Sequence, residues 1–398
     1  MKRALGLALL LAALLLTGTG GGGREIESCL FVIAMAVDPA QDGNLTVTVK
    51  ALSGTQEAAA PQSEEDAPAQ EEGQSAPSAG QTEAVEPGYV TLSATADSCL
   101  SALNLLSATT PRSVDLSQLR EIVLNETLAR TDATLTVLRQ IDALYEANGG
   151  AVVVVTPDGA GDFIRRQYAM FGVRLSQYLD VLFDHFAQLG TIPASAQLSA
   201  VLGAMTSSTA DAAAVYAAGN AFDATLVLGG RSETDRLPGH LPRTSPAKNE
   251  YLGSAVFSGT RMVGTLTGDE TAILRMISGK ALNISIAMGE ALYQISVHTR
   301  TRRTLEWVGG APVLGVSVSI RMALAAGTQQ QSAAELACLL EADAQQLIEK
   351  LQAMGSDLVG FGRMAVRRYA DIPAWEASGW EDAYRSAPVR VTARVRIQ

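Results

Sequence analysis

The chain has 398 residues, 47% of them hydrophobic and 18% charged, and a formal net charge of −11. Such a composition supports a globular core, and the length suits two or three domains. The acidic balance excludes nucleic acid as a partner, because a polyphosphate needs a basic footprint. Three widely spaced cysteines, with no CxxC or Cys/His cluster, leave a zinc site unsupported.

Residues 1–19 read as an export signal. Lys2 and Arg3 supply the positive start, and Ala4 to Leu16 form an apolar run of about thirteen residues. A helix of that length rises only about 20 Å, short of the roughly 30 Å hydrocarbon core, so a permanent transmembrane anchor is disfavoured. In bacterial lipoproteins a triplet such as Leu16-Thr17-Gly18 is followed by the cysteine that takes the lipid. Here the position holds Thr19, which has no thiol to form the thioether. Cys29, Cys99 and Cys338 each sit in apolar runs and read as small buried hydrophobes, and nothing in their spacing specifies a Cys29–Cys99 disulfide.

Residues 24–190 are expected to form an N-terminal α/β domain. Cys29 to Val37 reads as a buried strand, DPAQDGN as a turn, and Leu45 to Ala51 as the second strand of a hairpin. Residues 54–88 are rich in Ala, Gln, Glu, Ser and Pro and hold almost no large apolar residue, so they read as a disordered acidic insert. Helical spacing follows at Leu100, Leu103 and Leu106, then a strand at Leu119 to Leu124, helical runs over Asn125 to Ala147, and a β-branched strand at Ala151 to Val155. Asp162 to Gln188 reads as helix, with Leu179, Leu182, Phe183 and Phe186 on one side and His185 at the edge of that packed face. The strand, helix, strand order implies some parallel pairing.

Residues 191–249 form a middle segment and linker. Thr191 to Gly219 carries no clear period, Asn220 to Gly229 is compatible with one more strand, and the Pro-rich, polar stretch from Arg231 marks a boundary. Ser245-Pro-Ala-Lys248 has the SxxK spacing of serine acyl-enzymes. It lacks both the helix start and the later KTG strand that this chemistry needs.

Residues 250–398 are expected to form a C-terminal α+β domain, largely antiparallel sheet with a long amphipathic helix. A hairpin turns at Ser258-Gly259-Thr260, and Thr267 with Glu270 fits a capping box that opens a helix. Asn283 to Met288, Tyr293 to Val308 and Val313 to Ala325 alternate as strands; Val316, Val318, Ile320 and Met322 share a face. Gln331 to Met354 is amphipathic, and Pro388 to Gln398 is a final strand with Arg390, Arg394 and Arg396 on its polar side. Those arginines read first as a solvated face that discourages edge aggregation, with a partner surface as the alternative.

Four stretches carry a resemblance: Arg24-Glu25-Ile26 with its following strand, DLSQLREIVLNETLAR at 115–130, YLGSAVFSGTRMVGTLTGDET at 251–271, and SDLVGFGRMAVRRY at 356–369 with Trp375 and Trp380 beyond. In order and spacing they resemble the Ger(x)C family, the C subunits of bacterial spore nutrient-germinant receptors. The resemblance implies a multidomain α+β fold of mixed sheets with packed helices. It also implies an exported protein on the outer face of the spore inner membrane that acts with integral membrane A and B subunits in nutrient-triggered germination. Family members carry a lipid anchor; with Thr19 in the cysteine's place, anchoring by an uncleaved signal segment or by partners stands beside it, as does an altered residue in this sequence.

The resemblance implies no catalysis and no cofactor, and the residues offer no Gly-rich phosphate loop, metal cluster or catalytic Ser/His/Asp pattern. Two other readings stay open: a secreted or tethered protein that captures a small nutrient in an interdomain cleft, and a hydrolase assembled from distant carboxylates. Phe361, flanked by Gly360 and Gly362, is either a plug of the core or a partner contact.

Overall fold

The computed structural model describes residues 28–53, 88–144, 148–170, 173–220, 237–239, 241, 247–279, 284–288, 291–295, 300–324 and 332–397. The export signal with Thr19, the acidic insert up to residue 87, most of the strand considered at 220–229 and Ser245 lie outside the described residues. The architecture is α+β, with two mixed sheets and packed helices.

The first sheet has nine strands: β1 (Cys29–Pro39), β2 (Leu45–Leu52), β3 (Tyr89–Ala96), β4 (Ser113–Asp115), β5 (Glu121–Asn125), β6 (Val152–Thr156), β7 (Ala213–Gly219), β8 (Asn249–Ser258) and β9 (Arg261–Leu266). Their order is β3-β2-β1-β5-β6-β7-β8-β9, with β4 beside β1. The centre, β1-β5-β6-β7, is parallel, and each flank is an antiparallel pair. Parallel strands are covered on both faces and therefore read as unbroken apolar runs, as Val153, Val154 and Val155 show.

Alternation then sorts the two cores. Ile122, Leu124, Val153 and Val155 face α1 (Cys99–Thr109), α3 (Ala133–Asp142) and α6 (Leu198–Met205). The short α2 (Glu126–Ala129) follows β5 directly, capped by the Asn125 side chain. On the other face Val123, Val154 and Val215 meet α4 (Ala160–Arg165) and α5 (Leu175–Leu189). The span expected as one helix at 162–188 is thus two, and the expected Leu179 and Phe183 stripe is buried on the second.

Three elements depart from the sequence reading. Tyr89–Ala96, most of which the sequence reading left without an element before the helical spacing at Leu100, is an edge strand. The unassigned Ala-rich stretch forms β7. The β8–β9 hairpin, expected to open the C-terminal unit, extends the first sheet through six residue pairs on β7. Ala is a poor strand former, so only β7's place between β6 and β8 fixes it.

The second sheet holds β10 (Ile284–Met288), β11 (Ala291–Ile295), β12 (Arg300–Val308), β13 (Ala311–Leu324) and β14 (Val389–Ile397), ordered β10-β11-β13-β12 with β14 on the other edge of β13. It is antiparallel except for β14, which runs parallel to β13. Between those two strands the chain crosses through α8 (Ala333–Met354), capped by the Ser332–Glu335 box. Leu336, Leu340, Ala344, Leu347 and Leu351 bury against Leu314, Val316, Val318 and Ile320. Each such leucine, valine or isoleucine contributes roughly 1.5–3 kcal/mol on burial. The Glu341 carboxylate accepts from the Ala393 N–H at 2.7 Å, so the helix also tethers the edge strand. No helix among the described residues covers the opposite face of this sheet. Among the described residues no helix is long and apolar enough to cross a membrane.

Candidate functional site: the junction between the sheets

Helix α7 (Gly268–Ile277) links the units; its predicted Thr267–Glu270 capping box is present, and Lys350 of α8 pairs with Glu270 at 2.7 Å. Beyond α8 the chain makes a tight loop, then α9 (Gly362–Ala365), α10 (Ile372–Glu376) and α11 (Trp380–Ser386). The loop is organised by Asp357. Its carboxylate accepts the N–H groups of Gly360, Phe361 and Gly362 at 2.8, 3.0 and 2.5 Å.

The two glycines have different causes. Gly360 takes φ +85°, a left-handed conformation that a side chain resists, whereas a Cβ at Gly362 would lie 2.7 Å from the Thr209 carbonyl. Phe361 between them is fully buried beside Val359, Ala365 and Trp380. The structure places the ring in the core, the first of the two roles the sequence offered, with the glycines folding the loop inward around Asp357.

The same loop clasps the first sheet. Asp211, just before β7, accepts the Asp357 N–H and the Gly259 N–H of the hairpin turn at 2.7 and 2.8 Å. Ser356 donates to the Phe257 carbonyl, Ser258 to the Gly355 carbonyl, and the Trp375 indole to Ser208. Burial holds both carboxyls, Asp211 and Asp357, above the usual range, opposed by the N–H groups they accept. Trp375 and Trp380 stack into the same seam with Tyr369 and Tyr384.

Beside the clasp lies a cleft of about 610 Å³, walled by residues 193–204, the Asp211 segment, α7, β12 and the Asp357 loop. Four arginines line it: Arg275, Arg303, Arg363 and Arg367. Arg275 is 8% exposed; its Nη1 donates to the Ile192 carbonyl at 3.1 Å, and its Nε has no partner. Burial lowers its pKa from the ordinary arginine value. Arg303 donates to the Val359 carbonyl. Sequence reasoning missed this set, because its members come from three distant segments and Arg275 sits inside the apolar run Ala272 to Ile277.

The face of the second sheet away from α8 is also basic. Arg300 and Arg302 on β12, Arg321 on β13, and Arg390, Arg394 and Arg396 on β14 are all exposed on it. Register places Arg300, Ser319 and Arg394 in one row and Arg321 beside Arg396. Glu306 is the acidic residue of this face, and among the described residues no ion pair engages the six arginines. The sequence reading of Arg390, Arg394 and Arg396 as one polar stripe agrees with this, and the sheet doubles it.

A third feature is internal. Glu121 is fully buried and receives Gln167, which also donates to Tyr251 at 2.5 Å; Lys50 donates to the Gln167 carbonyl. Burial pushes Glu121 up to about 7. Nearby, Asp38 accepts the N–H groups of Ala160 and Gly161 at 2.7 and 2.8 Å, so a carboxylate of the chain itself occupies the start of α4. Cys29 and Cys99 are buried free thiols, and Cys338, expected inside, is exposed on the solvent side of α8. Thr19 lies outside the described residues.

Two family models match the chain: the spore germination protein N-terminal domain over residues 22–218, and the spore germination B3/GerAC-like C-terminal domain over residues 252–398. The chain belongs to the Ger(x)C family. A Ger(x)C protein is a spore germination protein and a component of a germinant receptor, and membership supports the C-subunit place in it. No curated protein matches the chain. The crystal structure of the GerBC protein is similar at 16% identity and a TM-score of 0.45, covering 91% of this chain and 96% of that one.

Proposed function

We propose that this Ger(x)C chain is a non-catalytic subunit of a membrane-associated germinant receptor, required for nutrient-triggered germination through contacts with the integral membrane A and B subunits. The match of both family domains, at 22–218 and 252–398, carries this reading. The six-arginine face adds a physical means of standing at a membrane. A basic plate is attracted to anionic headgroups at about 1 kcal/mol per residue near the surface. The chain's overall negative charge makes the local concentration of arginine on one face the more telling.

Anchoring completes the proposal: the protein stands outside the spore inner membrane, held by its apolar signal segment or by its partners where Thr19 replaces a lipid-bearing cysteine. Two measurements test the reading together. Spores that lack this chain should lose the nutrient response and regain it on complementation, and the A and B subunits should co-purify with it from membranes. Restoring cysteine in Thr19→Cys should raise the membrane-retained fraction. A chain that neither co-purifies with A and B nor affects nutrient response would defeat the proposal.

A further inference from the structure

We propose that the cleft between the two sheets binds a small organic anion, whose acidic group sits among Arg275, Arg303, Arg363 and Arg367 and whose apolar body lies along Ala200, Leu274 and Leu358. The argument begins with Arg275. A guanidinium taken out of water needs a counter-charge or a full set of acceptors, since a lone buried charge costs several kcal/mol. Arg275 has one carbonyl, an unpartnered Nε, and among the described residues no carboxylate. Three more guanidinium groups line the same cleft and add repulsion.

The acid on the wall, Asp211, does not answer this charge. Its two oxygens are already engaged by the Gly259 and Asp357 N–H groups. An anion from outside would supply what the fold omits. Arginine forks match carboxylate and phosphate oxygens two at a time, and several together select for a fully ionised group.

The dimensions say more about the ligand. At about 610 Å³ the cleft falls within the range of small-molecule sites and is far larger than a bare ion. Apolar side chains line it too, with Val201, Ala204 and Met364 beside the three residues named above. A short aliphatic or aromatic acid satisfies both ends. This inference stands apart from the receptor proposal: it rests on the cleft alone, and either can fail without the other.

Isothermal titration of the full purified chain with acetate, butyrate, hexanoate and inorganic phosphate tests it. Hexanoate should bind saturably at one site, with affinity rising roughly threefold to fourfold per buried methylene along the series. Arg363→Glu with Arg367→Glu changes two exposed side chains, and should weaken hexanoate on the order of tenfold or more while the unfolding midpoint holds. Arg275→Met should abolish binding; should that variant fail to fold, the exposed pair still decides. No saturable heat from any of the four probes overturns the proposal. So does binding that survives the double charge reversal, or a response independent of chain length and equalled by phosphate, which marks only a diffuse ionic atmosphere.

Discussion

The two sheets of this protein are finished differently. The first is covered on both faces by helices, and its central strands carry two charged residues, the buried Glu121 and Asp38 at the end of β1. The second is covered on one face by α8 and α7 and turns six arginines outward on the other. A sheet closed on both sides has no free face, whereas a sheet covered on one side presents a flat, charged plane. The difference lies in what each unit presents to its surroundings: helix surfaces from one, a strand face of arginines from the other.

That contrast can be broken at its seam. Phe361→Ala removes a fully buried ring from the second core, and should cost about 3–5 kcal/mol in chemical unfolding. A Phe361→Ala protein that keeps its stability but loses receptor assembly would return this residue to the surface role. Within the first sheet, Glu121 sharpens the comparison. Its pKa is raised from 4.5 to about 7 by burial, so the folded state favours the protonated form. Stability is complete below about pH 4.5 and declines as pH rises through about 7, by up to about 3 kcal/mol. Lys50, the nearby cation, opposes part of that loss, and the Tyr251 hydroxyl stays protonated throughout because burial raises it well above its usual range. In Glu121→Gln that pH dependence should flatten, with a gain over the parent at pH 8 and none at pH 4; an unchanged slope would remove Glu121 from the account.

The smallest effect on stability should come from the open face. Arg390→Glu, Arg394→Glu and Arg396→Glu together should shift unfolding by no more than about 0.5 kcal/mol per site, as exposed substitutions do. Sedimentation with phosphatidylglycerol vesicles should nevertheless fall steeply relative to the parent, and the parent's own binding should weaken with added salt. Equal sedimentation of parent and variant would leave the arginines as an ordinary solvated edge.

Much of this was legible before folding. The capping box at Thr267 was visible because a cap is a local pattern of four residues; the box at Ser332 with Glu335 repeats the pattern and came from the structure. The inward stripe of β13 and the arginine side of β14 followed from strict alternation. What escaped was set by distance. Tyr89–Ala96 carries small residues and only half-buries its side chains, so its pairing with β2 had no strong signature of its own. The cleft escaped for the same reason: Arg275 reads as a polar interruption on α7, and only the return of the chain at residues 358–367 makes it a wall. For Phe361 the glycines were marked, but their purpose lay in Asp357, four residues before the ring and wrapped by the backbone they bend.

The β8–β9 hairpin has a consequence for how this chain can be divided. It follows the middle segment in sequence, yet it hydrogen-bonds to β7 and leads directly into α7. A cut at residue 250 would strip β7 of its neighbour and leave a row of unpaired N–H and C=O groups along an apolar strand, an invitation to stick to the next molecule. The fragment beyond the cut would carry an orphan hairpin. A cut before β7 only moves the open edge to the buried strand β6, so the nine-stranded sheet is best kept whole through Leu266.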